Sequence, residues 1–298
     1  MYKKCNCDIF DRLEGAYAPN TLRAYRSDWA HFLDFCENSH LKPLPASPET
    51  MEAFIAFEAQ HAVATVERRL YSIRKAHELA GLPNPCGCVT VGLALRRVRR
   101  SKPNRPGQAL GVRRDMLERM IAAQPDTLNG IRNRALLSIG FDFLTRRSEL
   151  ASLRAKDIEL QPDGTVRGLI RRSKADQMGY GRSVYGSTRS GDLLALWLKA
   201  RDVDTPWLFC PIRHGYAYDR PLGTSQVKNI IKAAAKAAGI EGDASGEVSG
   251  HSLRVGAAQE LMARGADIST IMRAGGWKTV DVVARYVQKT DVNVWADG

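Results

Sequence analysis

One break limits most strongly how this chain can fold. Lys102-Pro103-Asn104-Arg105-Pro106-Gly107 places two prolines and a glycine within six residues, so neither a helix interior nor a central strand can run through it. The segment reads as an exposed connection between two separately packed bodies. A chain of 298 residues is long enough to supply both with cores. The expected division is a helical domain over residues 1–101, a basic linker over 102–112 and a second domain over 113–298.

Charge singles out the same place. The formal net charge is +12, yet residues 96–114 alone hold eight basic side chains and no acidic one. A linker that is both extended and basic can run along a phosphate backbone, which makes nucleic acid the expected partner. Arg96, Arg97, Arg99, Arg100, Lys102 and Arg105 are the candidate contacts. The plainer reading of such a run is the solvated end of a helix. No membrane span is expected, since the apolar run beginning at Ala135 stops at Asp142, well short of the ~20 residues a bilayer requires. Met1-Tyr2-Lys3-Lys4 leads into no apolar segment, so a secretory signal is not expected and the cytoplasm is the expected location. The six cysteines do not resemble a disulfide framework. The pairs Cys5/Cys7 and Cys86/Cys88 are spaced more tightly than the C-x2-C of structural zinc, so no metal site is expected.

Helical spacing organises the first domain. Leu22, Tyr25, Trp29, Phe32, Leu33 and Cys36 recur behind Asn20-Thr21, read as an N-cap pair, and Ser47-Pro48-Glu49 should open a second helix. A third runs from Thr65 to Leu79 before Gly81, and a fourth spans residues 89–98. Beyond the linker, apolar spacing predicts helices over 115–123, 131–143, 193–201, 225–238, 251–264 and 268–273. Strand character is confined to 166–170 and 182–185. The expected fold is mainly α: an N-terminal helical domain, then a mixed helical domain with a small antiparallel β-sheet.

Candidate chemistry lies in the second domain. His251 and Arg254 stand three apart, on one face of one helix, and so do Arg146 and Glu149. Alone, either pair would be surface decoration. Their company raises them: Lys174 between the two strands, Trp277 after Gly275-Gly276, and Tyr286.

The order Arg146, Lys174, His251-x-x-Arg254, Trp277, Tyr286 resembles the active-site signature of the tyrosine site-specific recombinases, the phage integrase family. The resemblance covers the whole chain in architecture and is most specific from Arg146 onward, in Gly250-His251-Ser252-Leu253-Arg254 and Ala274-Gly275-Gly276-Trp277. It implies an N-terminal core-binding domain and a catalytic domain closing on DNA. It also implies that Tyr286 is the nucleophile, Arg146 and Arg254 the phosphate clamp, Lys174 the acid for the leaving oxygen and His251 an acid/base. Trp277 would be an indole donor, and Glu149 would orient Arg146 and His251. Two arginines and a lysine already supply positive charge and the indole a further donor, so the resemblance implies no metal and no cofactor. The implied assembly is a homotetramer on double-stranded DNA with inverted-repeat sites, in a bacterium and acting on nucleoid, plasmid or phage DNA. Two alternatives stay open: a catalytically inactive DNA-binding relative, and a type IB topoisomerase or telomere resolvase. The few residues before the first helix imply no separate arm-binding domain, and the short stretch after Tyr286 implies a reduced tail.

Overall fold

A computed structural model describes residues 7–102, 107–173, 176, 178–242 and 246–288. The chain divides into two units, Met1–Pro106 and Gly107–Gly298. Lys174 and Arg105 lie outside the described residues, as does the stretch after Gln288.

The first unit is helical: α1 (Cys7–Asp11), α2 (Pro19–Asn38), α3 (Pro48–Phe57), α4 (Val63–Leu79) and α5 (Val89–Arg100). Helix α2 packs on α4, and α3 on α5, around Trp29, Phe32, Met51, Phe54 and Ile73. Ser47 caps α3 by accepting the Thr50 N–H at 3.2 Å. Asn20-Thr21 is not a cap: α2 starts at Pro19 after Ala18, because proline fits the first helical turn, and Asn20 instead accepts from the Arg23 guanidinium at 2.7 Å. The larger difference is at α5. The helix continues through the arginine run to Arg100, since Val91 and Val98 stay on its buried face and arginine is a good helix former. Arg96 and Arg97, inside the expected helix, and Arg99 and Arg100, just beyond its expected end, are all exposed helical side chains, which is the plainer reading of the run. Their charge lies at the favourable end of the helix dipole. Arg99 pairs with Glu67 at 2.6 Å, and the Lys102 ammonium donates to the His61 carbonyl.

The second unit starts earlier than expected. The Leu110 N–H donates to the Glu247 carbonyl at 3.1 Å and the Val112 N–H to that of Ser252 at 3.0 Å, so residues 107–112 are built into this unit. Val112 is fully buried. The unit contains α6 (Arg114–Ala122), α7 (Leu128–Asp142), α8 (Arg147–Ser152), β1 (Ile158–Leu160), β2 (Val166–Ile170), β3 (Arg182–Gly186), α9 (Thr188–Ala200), β4 (Ile212–Arg213), β5 (Tyr216–Ala217), α10 (Thr224–Ala237), α11 (Ser252–Ala263), α12 (Ile268–Gly275) and α13 (Val280–Val287). Helix α7 is the centre, with every residue from Ala135 to Phe141 buried, and α6, α9 and α11 pack around it. The apolar run that is too short to cross a bilayer is this core helix. Among the described residues no helix is long and apolar enough to cross a membrane.

Strands β1, β2 and β3 form an antiparallel sheet in which Gly168 pairs with Val184. The Phe143 ring occupies the space that a Cβ at Gly168 would need. The sheet is thus docked against the C-terminal end of α7, where the chain turns toward Arg146. Strands β1, β4 and β5 have only two or three residues each, too few for a sequence period to reveal.

Candidate active site

After α7 the chain reverses at Leu144, a non-glycine residue with φ of 48°. The reversal delivers Arg146 to the start of α8. Glu149 is buried in the first turn of that helix, 2% exposed. Its Oε2 accepts the backbone N–H of Arg146 at 3.0 Å and its Oε1 accepts the Arg146 guanidinium at 2.5 Å. Burial by itself would raise the Glu149 pKa. The N–H and guanidinium of Arg146, with the charge of Arg182, outweigh it and hold the carboxyl below its ordinary value.

Arg254 is the largest charge in the core, with no exposed surface. Its Nη1 donates to the Leu144 carbonyl and its Nη2 to the Gly275 carbonyl at 2.7 Å, tying α11 to the turn before Arg146 and to the end of α12. Burial first, and then the like charge of Arg146, bring its pKa down to about 10, so it remains a cation at neutral pH. The guanidinium carbon lies 4.1 Å from the centre of the Trp277 ring and 5.7 Å from that of Tyr286. The two rings are themselves 4.8 Å apart, inclined at 57°. Gly275 has to be glycine, because a Cβ there would run into the indole. Arg254 Nε and Trp277 Nε1 are both buried and have no acceptor among the described residues. Native interiors rarely leave buried donors unpaired, so two beside one phenol mark a place for an acceptor-rich ligand.

His251 precedes α11, which begins at Ser252, so it flanks the helix where the sequence suggests that it shares a face with Arg254. It is exposed, yet the protein that crowds it removes part of its hydration. That effect, followed by the charges of Arg147, Arg254 and Arg146, lowers its pKa below 6.5. The imidazole is neutral at pH 7 and can accept a proton. Glu149 does not orient it: that carboxylate is taken by Arg146 and Arg182, and no bond joins it to His251 among the described residues.

The structure thus brings Arg146, Glu149, Arg254, Trp277 and Tyr286 into one connected set, with His251 at its edge. Lys174 lies outside the described residues, but the hairpin that carries it is held by Asp176, whose carboxylate accepts the N–H groups of Gly179, Tyr180 and Gly181 at 2.8 to 3.2 Å. A cleft of about 460 Å³ opens between this hairpin and α12, lined by Asp176, Tyr180, Arg182, Met272, Trp277 and Lys278. Arg96, Arg97, Arg99, Arg100 and Lys102 belong to the other unit. Arg182, at the start of the second expected strand, is not among the residues expected in the site. Its 14% exposed side chain reaches Glu149 at 3.3 Å and the Ala274 carbonyl. The one signal in the sequence was a basic residue opening a strand between two glycine-containing turns. Gln108 and Gln259 were also missed; both donate to the Tyr286 carbonyl, at 3.0 and 3.3 Å.

With this geometry in view, the comparisons agree. Residues 112–292 match the model of the phage integrase family. An integrase/recombinase XerD homolog of Selenomonas ruminantium is 31% identical over 293 residues, which span 94% of this chain and 85% of its own. Recombinase Cre of Escherichia phage P1 is 31% identical over 304 residues, 95% of this chain and 88% of its own. Among solved structures, a lambda integrase dimer bound to a core site aligns at a TM-score of 0.67 with 15% identity, covering 99% of this chain and 97% of that one. A XerH recombinase bound to a palindromic difH substrate aligns at 0.62 with 19% identity, covering 82% of this chain and 69% of that one. At those identities the structural likeness is one of fold. The chain belongs to the phage integrase family, the tyrosine site-specific recombinases.

Proposed function

We propose that the protein is a Cre-like site-specific recombinase that cleaves and rejoins double-stranded DNA through Tyr286. The observation that carries this reading is the Tyr286 phenol set against a buried guanidinium and an indole whose Nε and Nε1 lack acceptors. A scissile phosphate would accept from both, and its developing charge would meet the fixed charges of Arg254 and Arg146. The phenolic oxygen forms a bond to phosphorus as the bond to the 5′-oxygen breaks, which leaves a 3′-phosphotyrosine and a free 5′-hydroxyl. His251, neutral at pH 7, takes the phenolic proton. Lys174, at the hairpin, supplies the proton to the leaving oxygen. One phosphoester replaces another of similar energy, so the incoming 5′-hydroxyl of a partner strand reverses the step. Two such exchanges, in a homotetramer on inverted-repeat sites, pass through a Holliday junction. The exposed arginines of α5 hold phosphates of the same duplex. The DNA is that of a bacterial nucleoid, plasmid or phage, and the protein works in the cytoplasm.

The test is a trapping experiment. Wild type and Tyr286→Phe are incubated with nicked fragments of the replicon that encodes the protein, then denatured in SDS. Wild type should leave a resistant protein–DNA adduct and the variant none. Footprints without any adduct would favour an inactive DNA-binding relative, and an adduct with Tyr286→Phe would put the nucleophile elsewhere. Relaxation of a supercoiled plasmid that lacks specific sites would favour a topoisomerase.

A further inference from the structure

The site holds a third arginine, mostly enclosed, that the signature does not contain. Arg182 opens β3 and points back under the cluster, with 14% of its side chain exposed. Its Nη1 donates to the Ala274 carbonyl at the end of α12. Its Nη2 reaches Glu149 Oε2 at 3.3 Å, and longer contacts of 3.4 to 3.5 Å run to the Phe143 and Leu144 carbonyls. Burial lowers its pKa, and the neighbouring Glu149 carboxylate opposes that shift.

These acceptors are the ones that the rest of the site uses. Glu149 Oε2 also fixes the backbone of Arg146, the Leu144 carbonyl also receives Arg254, and Ala274 is followed by Gly275, whose carbonyl receives Arg254 and whose missing Cβ admits Trp277. Gly276 leaves room for the stem: its φ is 66°, and a Cβ there would lie 2.8 Å from Arg182 Cδ. A guanidinium suits this task because one rigid fork can hold carbonyls and a carboxylate in different directions, which an ammonium on a flexible stem cannot.

We infer that Arg182 is a positioning residue for the transesterification: it sets the spacing between the Arg146–Glu149 corner and the end of α12, and so the distance between the phosphate clamp and Trp277 with Tyr286. The inference rests on the reading of Tyr286 as the nucleophile. Arg182 contacts no substrate; removing it frees the corner and the helix end to shift relative to each other, and a misplacement of about 1 Å costs about 100-fold in rate.

The experiment uses full-length wild type, Arg182→Ala and Arg182→Lys with the nicked replicon fragments. Three readouts are taken: the single-turnover rate of adduct formation, filter retention of the same fragments at fixed salt, and the urea midpoint. Arg182→Ala should form adduct about 100-fold more slowly while retaining DNA within about threefold of wild type, and guanidinium chloride at tens of millimolar should restore part of the rate where equal sodium chloride does not. Arg182→Lys should be slow as well, since it reaches one acceptor at a time. An adduct rate within threefold of wild type in Arg182→Ala overturns the inference. So does a loss of rate, DNA retention and urea midpoint together that Arg182→Lys repairs, because that is a purely structural role of charge. If wild type itself gives no adduct, the reading of Tyr286 fails, and it fails independently of Arg182.

Discussion

At the scale of single residues, the site is a set of charges whose neighbours decide their state. Glu149 is the negative centre that lets two arginines face the same place, and its depressed pKa is a statement about stability. A carboxyl with a folded pKa below its ordinary 4.5 contributes stability that is complete above pH 4.5 and is lost as the pH falls through the lower folded value. Glu149→Gln keeps the shape and removes the charge. Breaking one partner of a buried ion pair costs about 3–5 kcal/mol, and a glutamine that still hydrogen-bonds should stay at the low end of that range. Urea midpoints at pH 7 should therefore be lower for the variant. On going to pH 4 the wild type should lose more stability than the variant, so the two curves converge. Equal pH dependence in both would mean that Glu149 is not the group that titrates.

At the scale of elements, two helix ends set the geometry. Helix α12 stops because Gly276 adopts a left-handed conformation with φ of 66°, and the same glycine clears the stem of Arg182. For an L-residue the left-handed conformation costs about 1–2 kcal/mol before any clash is counted. Gly276→Ala should thus lower the urea midpoint and slow adduct formation together, whereas an alanine at the C-cap of α11, Arg264→Ala, should leave the adduct rate unchanged. A Gly276→Ala protein with wild-type stability and rate would show that Arg182 tolerates displacement. Helix α5 ends differently, by running out of helix-compatible sequence at Pro103 and not at its first arginine. The helix was legible as far as residue 98, while the charge and prolines beyond it suggested a linker from residue 102. Charge states where a segment meets solvent, and says nothing about whether its backbone hydrogen bonds are made.

At the scale of the whole molecule, the chain consists of two units with separate cores, and its positive charge is unevenly shared along it. If α5 holds phosphates, replacing Arg96, Arg97 and Arg100 together by glutamine should flatten the dependence of log affinity on log salt by about 0.9 for each phosphate that is no longer neutralised. Arg99, already paired with Glu67, should change the slope less. Filter binding across a salt series reads both, and an unchanged slope in the triple variant would remove α5 from the DNA interface. The mainly helical class and the family were readable in the linear order of residues, because periodicity and motif spacing are local properties. Tyr286, Trp277, Arg146 and Glu149 were nominated through the resemblance to the recombinase signature. What made them a site was contact between parts of the chain far apart in sequence: Leu144 with Arg254, Glu149 with Arg182, Arg182 with Ala274. In the sequence Arg182 cannot be told from a surface arginine, because an enclosed guanidinium and an exposed one are the same letter. Burial and the acceptors that compensate for it are set by packing, so only the tertiary structure decided which arginines are enclosed beside Tyr286 and Glu149 and which remain on the surface.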